Sequence, residues 1–245
     1  MSILAVKRSL ILPRGGSSAS AYATNLVGYW RLNEASSDAI DYSGASRTLT
    51  DTNTVGSGTG KVSAAARDFE VSNAEYFTRA DEAAFEAGSQ SWSACGWVNP
   101  ESTSASYRVL MSKFDISANR GWKLDLQSPN NQLHVDCRDG TNTKTLTHSA
   151  TLSNGTWYFV AGGWDAAQLK CWASVNAGTR EHGTVAVGMT IQDDTYAFRI
   201  GREVNGAAGT YMDGLMEQWG LWIGRVLTDD ELAYIYNAGA GRVLF

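Results

Sequence analysis

The stretch 213-DGLMEQWGLWIGRVLTDDELAYIYNAGAGR-242 joins a strand pattern to a helix pattern. Because side chains alternate between the two faces of a strand, every second residue from 215 to 221 is predicted to share one face. That row consists of Leu215, Glu217, Trp219 and Leu221. A lone carboxylate is costly to bury among apolar side chains, so Glu217 is expected to have a partner or to lie at a strand end in water.

The second half of this stretch predicts one short helix. Thr228 is a favourable N-cap, and Glu231 stands three residues later, which is the spacing of a capping box. The apolar stripe that follows consists of Leu232, Ile235 and Tyr236. Gly239 is the predicted C-terminal stop of the helix.

Upstream of this closing segment, short runs of alternating apolar and polar residues are separated by Gly, Ser, Asn and Asp. The dipeptides Asp-Gly at 139–140 and Asn-Gly at 154–155 predict turns, and the whole pattern predicts an antiparallel sandwich. The strands are predicted at 26–33, 75–80, 91–99, 107–113, 121–127, 132–139, 144–150, 156–164, 169–176, 196–203 and 214–222.

Composition limits the classes of function. The 245 residues are 43% hydrophobic and 18% charged, which is ordinary for one folded domain of this size. The net charge of -5 gives no basic surface for nucleic acid. No apolar run approaches the roughly 20 residues of a membrane span.

Three cysteines, Cys95, Cys137 and Cys171, lie far apart in strand-like segments. Free cysteine packs as a small hydrophobic residue, so buried free thiols are the favoured interpretation. One disulfide with one thiol left over is the alternative. Reduced cysteines fit folding in a cytoplasm.

Residues 1–24 are predicted to form an N-terminal arm with a flexible Gly- and Ser-rich hinge at 15–20. Behind the basic pair 7–8, an apolar run spans only residues 10–12 before Pro13. A secretory leader has an apolar region of about 7 to 15 residues, so no signal peptide is expected. The arm is expected to dock either on its own domain or on a neighbouring subunit.

Five segments in order resemble the concanavalin A-like lectin/glucanase superfamily, specifically its laminin-G-like, pentraxin-related modules. They are LVGYWRLNEASSDAIDYSGASRTLT (26–50), GKVSAAARDFE with EYFTRAD (60–81), WSACGWVNP (92–100), SNGTWYFVAGGWD (153–165) and the closing segment 213–242. The resemblance implies an all-β, concanavalin A-like jelly-roll sandwich of two antiparallel sheets with one short C-terminal helix. This domain would span residues 25–245.

The resemblance also implies a structural calcium ion between the first-strand loop and the closing strand. The matching positions are Asp41 and Ser43 in the loop and Glu217 on the strand, where Glu217 and Gln218 replace the usual Asp-Glu pair. Calcium takes six to eight oxygen ligands, which a longer glutamate can still reach. The alternatives pair Glu217 with Arg31 or Arg225, or expose it at a sheet edge.

Other residues are candidates for a sugar site. His134, Asp136 and Arg138 share one strand face and are similar to the His-x-Asn-x-Arg strand of galectins, although an exposed polar face gives the same pattern. Trp122 and Trp164 lie near loops, where an aromatic ring can stack on a sugar.

The sequence therefore predicts a non-catalytic, lectin-like module that binds a glycan or surface polymer and is displayed on a larger assembly. The alternative is a decoration or tail protein of a phage virion that docks on capsid or tail subunits through residues 1–24. Such a protein would be made in the cytoplasm and reach a virion surface. A glycoside hydrolase is the less favoured interpretation, because it needs two carboxylates flanking the bond and the sequence supplies no matching motif.

Overall fold

The computed structural model describes residues 18–102, 107–192, 195–206 and 210–245. Their strands form two antiparallel sheets packed face to face, which confirms the predicted all-β jelly-roll sandwich. None of the described helices is long and apolar enough to cross a membrane.

The first sheet has eight strands, in the spatial order β13-β12-β11-β6-β15-β4-β3, with β1 also paired to β15. Its strands are β1 (Leu26–Trp30), β3 (Gly56–Thr59), β4 (Ala65–Phe69), β6 (Trp92–Pro100), β11 (Tyr158–Asp165), β12 (Lys170–Val175), β13 (Glu181–His182) and β15 (Gly214–Ile223).

The second sheet has seven strands, in the order β10-β9-β8-β7-β14-β5-β2. Its strands are β2 (Thr50–Thr52), β5 (Tyr76–Arg79), β7 (Arg108–Asp115), β8 (Arg120–Gln127), β9 (Gln132–Asp139), β10 (Thr143–Thr147) and β14 (Phe198–Ile200).

The closing strand β15 lies in the middle of the first sheet and contains a bulge. Its register against β6 shifts between Glu217 and Gly220, and Gln218 takes a positive φ of 58°. Because of this extra residue, the side chains that follow the bulge point to the sheet face opposite to the one that simple alternation predicts. Trp219 and Leu221 therefore point into the core between the sheets, whereas Glu217 points to the outer face. The predicted single row from 215 to 221 is wrong for this reason.

The core between the sheets is rich in indole rings. Trp92 and Trp122 pack with ring centroids 4.5 Å apart. A second cluster, which includes Trp97, Trp172 and Trp222, covers the outer face of the first sheet. All three cysteines are buried and free, as favoured from the sequence.

Two helices cover that outer face. In α2 (Asp229–Tyr236) the capping box of Thr228 and Glu231 is present as predicted. The helix ends at Asn237, which takes a left-handed φ of 49°, so the predicted stop at Gly239 is two residues too late. Asparagine tolerates this conformation better than most residues with a Cβ atom.

The other helix, α1 (Ser18–Ala23), belongs to the predicted arm. The Tyr22 ring stacks on Tyr234 of α2 at 5.3 Å, and its carbonyl accepts the indole N–H of Trp222 at 2.8 Å. The end of the arm therefore docks on its own domain, and residues 18–20 are helical rather than part of a hinge. Residues 1–17, which include most of the arm, lie outside the described residues.

Candidate functional sites on the sandwich

The partners of Glu217 are three backbone N–H groups of one turn, residues 61–63. Its carboxylate is fully buried and accepts the N–H groups of Lys61, Val62 and Ser63 at 2.5 to 2.9 Å. Burial raises the pKa of Glu217, and these N–H donors oppose that rise. Three successive N–H groups form an anion-binding concavity, which is why the charge can be buried here.

Neither alternative partner of Glu217 is present. Arg31 donates to the carbonyl of Phe245, and Arg225 pairs with Glu231 of α2. The sheet-edge alternative also fails, because β15 is an interior strand between β6 and β4.

Asp41 has a similar set of partners. Its two oxygens accept the N–H groups of Tyr29, Ser43 and Arg47 at 2.8 to 3.0 Å, so the carboxylate closes the loop after β1. The Ser43 hydroxyl accepts the N–H of Ala45.

These partners do not fit a calcium ion shared by Asp41, Ser43 and Glu217. A cation needs oxygen atoms around it, whereas N–H groups carrying partial positive charge surround both carboxylates. Calcium at these residues stays a prediction, and the hydrogen bonds here supply its proposed structural role without an ion.

The galectin-like residues of β9 lie on one face, the outer face of the second sheet. His134 and Asp136 are 8% and 2% exposed, so this is not a free polar surface. Arg138 binds Asp136 through two N–H groups at 2.8 and 3.0 Å and lies over the ring of Phe114. His134 Nδ1 lies 3.2 Å from Asp125 of β8.

Lys123 extends this set into a buried ionic network. Its ammonium group lies 2.9 Å from Glu203 and 3.3 Å from Asp125, over the ring of Tyr107. Burial lowers the pKa of Lys123, but the charges of Asp125 and Glu203 raise it above its usual value. Each charge is thus matched inside the protein.

The charges of this network also shift two neighbouring pKa values. Burial raises the pKa of Asp125, but His134 and Lys123 lower it to about 2. Burial lowers the pKa of His134, but Asp125 raises it above its usual value.

Trp122 and Trp164 are not stacking platforms. Each is 1% exposed and belongs to the core between the sheets. The indole N–H of Trp122 donates to the carbonyl of Phe85 at 3.1 Å. Trp122 lies in β8 and Trp164 in β11, on the faces that pack against the opposite sheet, so both rings are part of the core.

An open groove of about 640 Å³, here called the helix groove, lies where the first sheet meets the start of α2. It is lined by Asp165 and Gln168 at the β11–β12 turn, by Thr179 and Arg180 just before β13, by His182 of β13, and by residues 226–229. Such a volume lies within the range of about 300–1,000 Å³ that is usual for small-ligand sites.

The helix groove contains both fixed and free polar groups. Arg180 is held by Asp229 at 2.7 Å and stacks on Trp172 at 4.1 Å. The side chains of Gln168 and His182 have no hydrogen-bond partner among the described residues. No sequence motif marks this site, because its residues come from three separate segments.

A second open groove of about 560 Å³, here called the hairpin groove, lies at the β9–β10 turn. Asn142 binds Asp139 across this turn, and the exposed Thr190 and Gln192 line the groove from a later loop.

A carboxylate cluster also escaped sequence reasoning. Strands β4 and β6 flank β15 and bring Asp68, Glu70 and Glu101 together, with ligand oxygens within 4.8 Å of one another. Burial and the negative charge of neighbouring carboxylates raise the pKa of all three groups. The group spans two strands that are far apart in sequence, so no local motif marks it.

A family model for the concanavalin A-like lectin/glucanases superfamily matches residues 71–233. The chain belongs to this family, and the predicted laminin-G-like resemblance is confirmed. No curated protein matches the sequence significantly.

The solved structures that share this fold include the following three. The binding domain of Paraclostridial Mosquitocidal Protein 1 has a TM-score of 0.71 at 15% identity, over 89% of this chain and 53% of that one. This chain thus spans about half of that toxin domain. Domain 4 of AbnA, a GH43 extracellular arabinanase from Geobacillus stearothermophilus, was solved with arabinotriose; its TM-score is 0.64 at 13% identity, over 89% of this chain and 98% of that one.

The third is from botulinum neurotoxin type C, whose cell entry depends on interaction with two ganglioside molecules. Its TM-score is 0.64 at 12% identity, over 89% of this chain and 52% of that one. At these identities the three structures establish a shared fold.

Proposed function

We propose that this protein is a non-catalytic, lectin-like module that binds a glycan in the helix groove. The observation behind the proposal is the groove itself, in which the side chains of Gln168 and His182 face solvent without a protein partner. Amide and imidazole groups can both donate to and accept from sugar hydroxyls.

The solved structures support a glycan as the ligand class. Domain 4 of the arabinanase was solved with arabinotriose, and the type C neurotoxin depends on gangliosides, which are glycolipids. Those ligands belong to those proteins. They make short, neutral arabino-oligosaccharides a rational first probe here.

The carboxylates of the helix groove support binding rather than hydrolysis. A glycosidase needs one carboxyl group as an acid and another as a base or nucleophile. Asp229 is ion-paired with Arg180, and Asp165 accepts the N–H groups of Ala167 and Gln168. Both groups thus have structural partners.

The test is a glycan array followed by calorimetry with the best ligand and with arabinotriose. The double variant Gln168→Ala/His182→Ala is expected to weaken binding at least about tenfold, since two lost hydrogen bonds of about 1 kcal/mol each are enough. The matched control is Thr190→Ala/Gln192→Ala in the hairpin groove, which should bind as the wild type does.

Three results would contradict the proposal: no glycan bound, binding that survives the helix-groove variant, or binding lost in the control. Release of reducing sugar from arabinan or from the best ligand would contradict the non-catalytic part. Affinity per site is expected to be weak in this open groove, and display in several copies would raise it.

A virion decoration or tail role stays a prediction. It depends on residues 1–17 and on capsid or tail partners, and the docking of Tyr22 on α2 supports only attachment of the arm's end to its own domain. Location on a virion surface likewise stays a prediction.

A further inference from the structure

A cluster of two arginines and two tyrosines lies on the outer face of the second sheet. Arg199 of β14 and Arg202 both lie over the ring of Tyr76 of β5, with guanidinium carbons 5.0 and 5.3 Å from its centroid. Arg202 also lies 4.6 Å from the ring of Tyr211. These four residues are called the arginine cluster below.

The charges of the arginine cluster have no carboxylate partner among the described residues. Arg199 donates one Nη1–H to the backbone carbonyl of Glu203 at 3.2 Å, whereas the Glu203 carboxylate is committed to Lys123. The Nε atoms of Arg199 and Arg202 are buried without a hydrogen-bond partner. Two like charges are therefore held side by side without a carboxylate counter-ion among the described residues.

Other acidic groups nearby are also committed. Asp115 accepts the N–H of Ser117 and the side-chain amide of Asn205. Glu75 precedes Tyr76 on the chain and accepts the N–H of Glu70. The burial of Arg199 lowers its pKa, and the like charge of Arg202 lowers it too.

Side chains with hydroxyl groups lie beside the arginine cluster on the same face of the sheet. Thr78 lies opposite Arg199 in the β5–β14 register, and Thr50 lies opposite Thr78 in the β2–β5 register. Ser112 on β7 also pairs with Arg199, and its hydroxyl donates to the carbonyl of Arg202 at 2.7 Å. The cluster thus adjoins a row of short polar side chains.

A structural arginine in this protein has a different environment. Arg242 also stacks on a tyrosine, Tyr234, at 4.3 Å. Its guanidinium donates to the carbonyl of Tyr234 and to Asn237, both at 2.8 Å. An arginine stacked on tyrosine can therefore still satisfy its donors, whereas the Arg199 side chain has one backbone acceptor and the Arg202 side chain has none among the described residues.

We propose that the arginine cluster binds an anionic group, a carboxylate or a sulfate, carried by a glycan. The planar guanidinium forks match either oxyanion with paired N–H groups, and the anion would offset the repulsion between the two arginines. That the anion is carried by a glycan rests on the proposed function, whereas anion binding itself does not.

The first experiment measures binding to three polymers: polygalacturonate, dextran sulfate and neutral dextran. The wild type is expected to bind one or both anionic polymers at least about tenfold more tightly than dextran, and Arg202→Gln should remove at least about tenfold of that preference. The polygalacturonate and dextran sulfate arms distinguish a carboxylate from a sulfate. The control Arg242→Gln should keep the preference.

A second variant, Arg202→Lys, keeps the positive charge and loses the paired N–H groups of the planar guanidinium. It is expected to bind more weakly than the wild type and more tightly than Arg202→Gln. No preference for an anionic polymer, or a preference that survives Arg202→Gln, would overturn binding of an anionic glycan here.

The second experiment separates this site from the glycan proposal. The melting temperature is measured with sodium glucuronate or sodium sulfate against sodium chloride at equal ionic strength. A ligand that binds the folded state raises the melting temperature. Because sulfate also stabilises folded proteins generally, the expected result is a larger rise for the wild type than for Arg202→Gln with one of the two anions.

The outcomes of the two experiments are distinct. If the anion raises the melting temperature through Arg202 but no anionic polymer binds, the anion site is supported and the proposal that a glycan carries the anion is contradicted. Glycan binding in the helix groove, with no Arg202-dependent effect in either experiment, would overturn the anion site alone.

Discussion

The two halves of the outer face of the second sheet differ in whether their buried charges have partners of opposite charge. Across β8 and β9, Lys123 lies between Asp125 and Glu203, and Arg138 is bound by Asp136. Across β5 and β14, the arginine cluster holds two cations and no described carboxylate partner. Matched buried charges hold the fold together, whereas unmatched ones mark a place where a ligand can supply the missing charge.

The largest expected effect is in the matched half. Lys123→Met would leave the buried Glu203 without its cation and Asp125 with His134 alone, which should lower the free energy of unfolding by about 3–5 kcal/mol. Urea denaturation measures this loss. Lys170→Met, at a half-exposed lysine of β12, is the control and should change stability by less than about 0.5 kcal/mol. Equal effects of the two changes would mean that the network does not stabilise the fold.

The Glu217 site extends the comparison to a buried charge matched by backbone N–H groups. In Glu217→Gln the amide NH₂ would face N–H donors, so a loss of about 1–3 kcal/mol is expected in urea denaturation. The exposed control Asp230→Asn should have a smaller effect. A chelator should leave the melting temperature of the wild type unchanged, because backbone N–H groups occupy the oxygens of Asp41 and Glu217. A fall in melting temperature with chelator that calcium restores would reinstate the predicted ion.

The matched half should also respond to pH through His134. Its folded pKa lies above the usual histidine value of about 6.5, so protonation favours folding. This contribution is complete below pH 6.5 and is lost as the pH rises through the folded pKa. The wild type should therefore lose stability above pH 6.5, at no more than about 1.4 kcal/mol per pH unit. His134→Gln should flatten that part of the profile, and an unchanged slope would exclude His134 as its origin.

The smallest stability effect is expected in the unmatched half. Arg202→Gln removes like-charge repulsion and no ion pair with a described residue, so the free energy of unfolding should stay within about 0.5 kcal/mol or rise. Arg242→Gln removes two hydrogen bonds and should cost about 1–2 kcal/mol. If Arg202→Gln costs as much as Arg242→Gln, the cluster is structural and the comparison fails.

Local pattern was enough to predict the sandwich and much of its detail. The strand alternation, the turn dipeptides and the capping box of Thr228 and Glu231 are all local signals, and each has its predicted outcome in the structure. The predictions that are wrong concern places where the backbone conformation of one residue changes the course of a strand or ends a helix. The bulge at Gln218 reverses the facing of Trp219, and Asn237 ends α2 before Gly239.

The candidate sites were much less predictable. The amide turn that binds Glu217 lies more than 150 residues earlier in the chain, and no period in the sequence encodes that contact. Arg199 and Arg202 are three residues apart, a spacing that has no meaning in a strand until Tyr76 and Tyr211 are placed beside them. Whether a charge has an ion-pair partner depends on the folded structure. Sequence alone therefore could not predict that Arg138 is paired with Asp136 and that Arg202 has no carboxylate partner among the described residues.

The position of β15 has a consequence for how the chain is made. Strand β6 pairs with β15, and both β1 and β4 rely on the same strand, so the first sheet is incomplete until residues 214–223 have left the ribosome. Pairings this distant in sequence form slowly, on the millisecond-to-second scale typical of all-β domains. Until then β6 exposes an unpaired edge, which makes the nascent chain dependent on low concentration or a chaperone to avoid association.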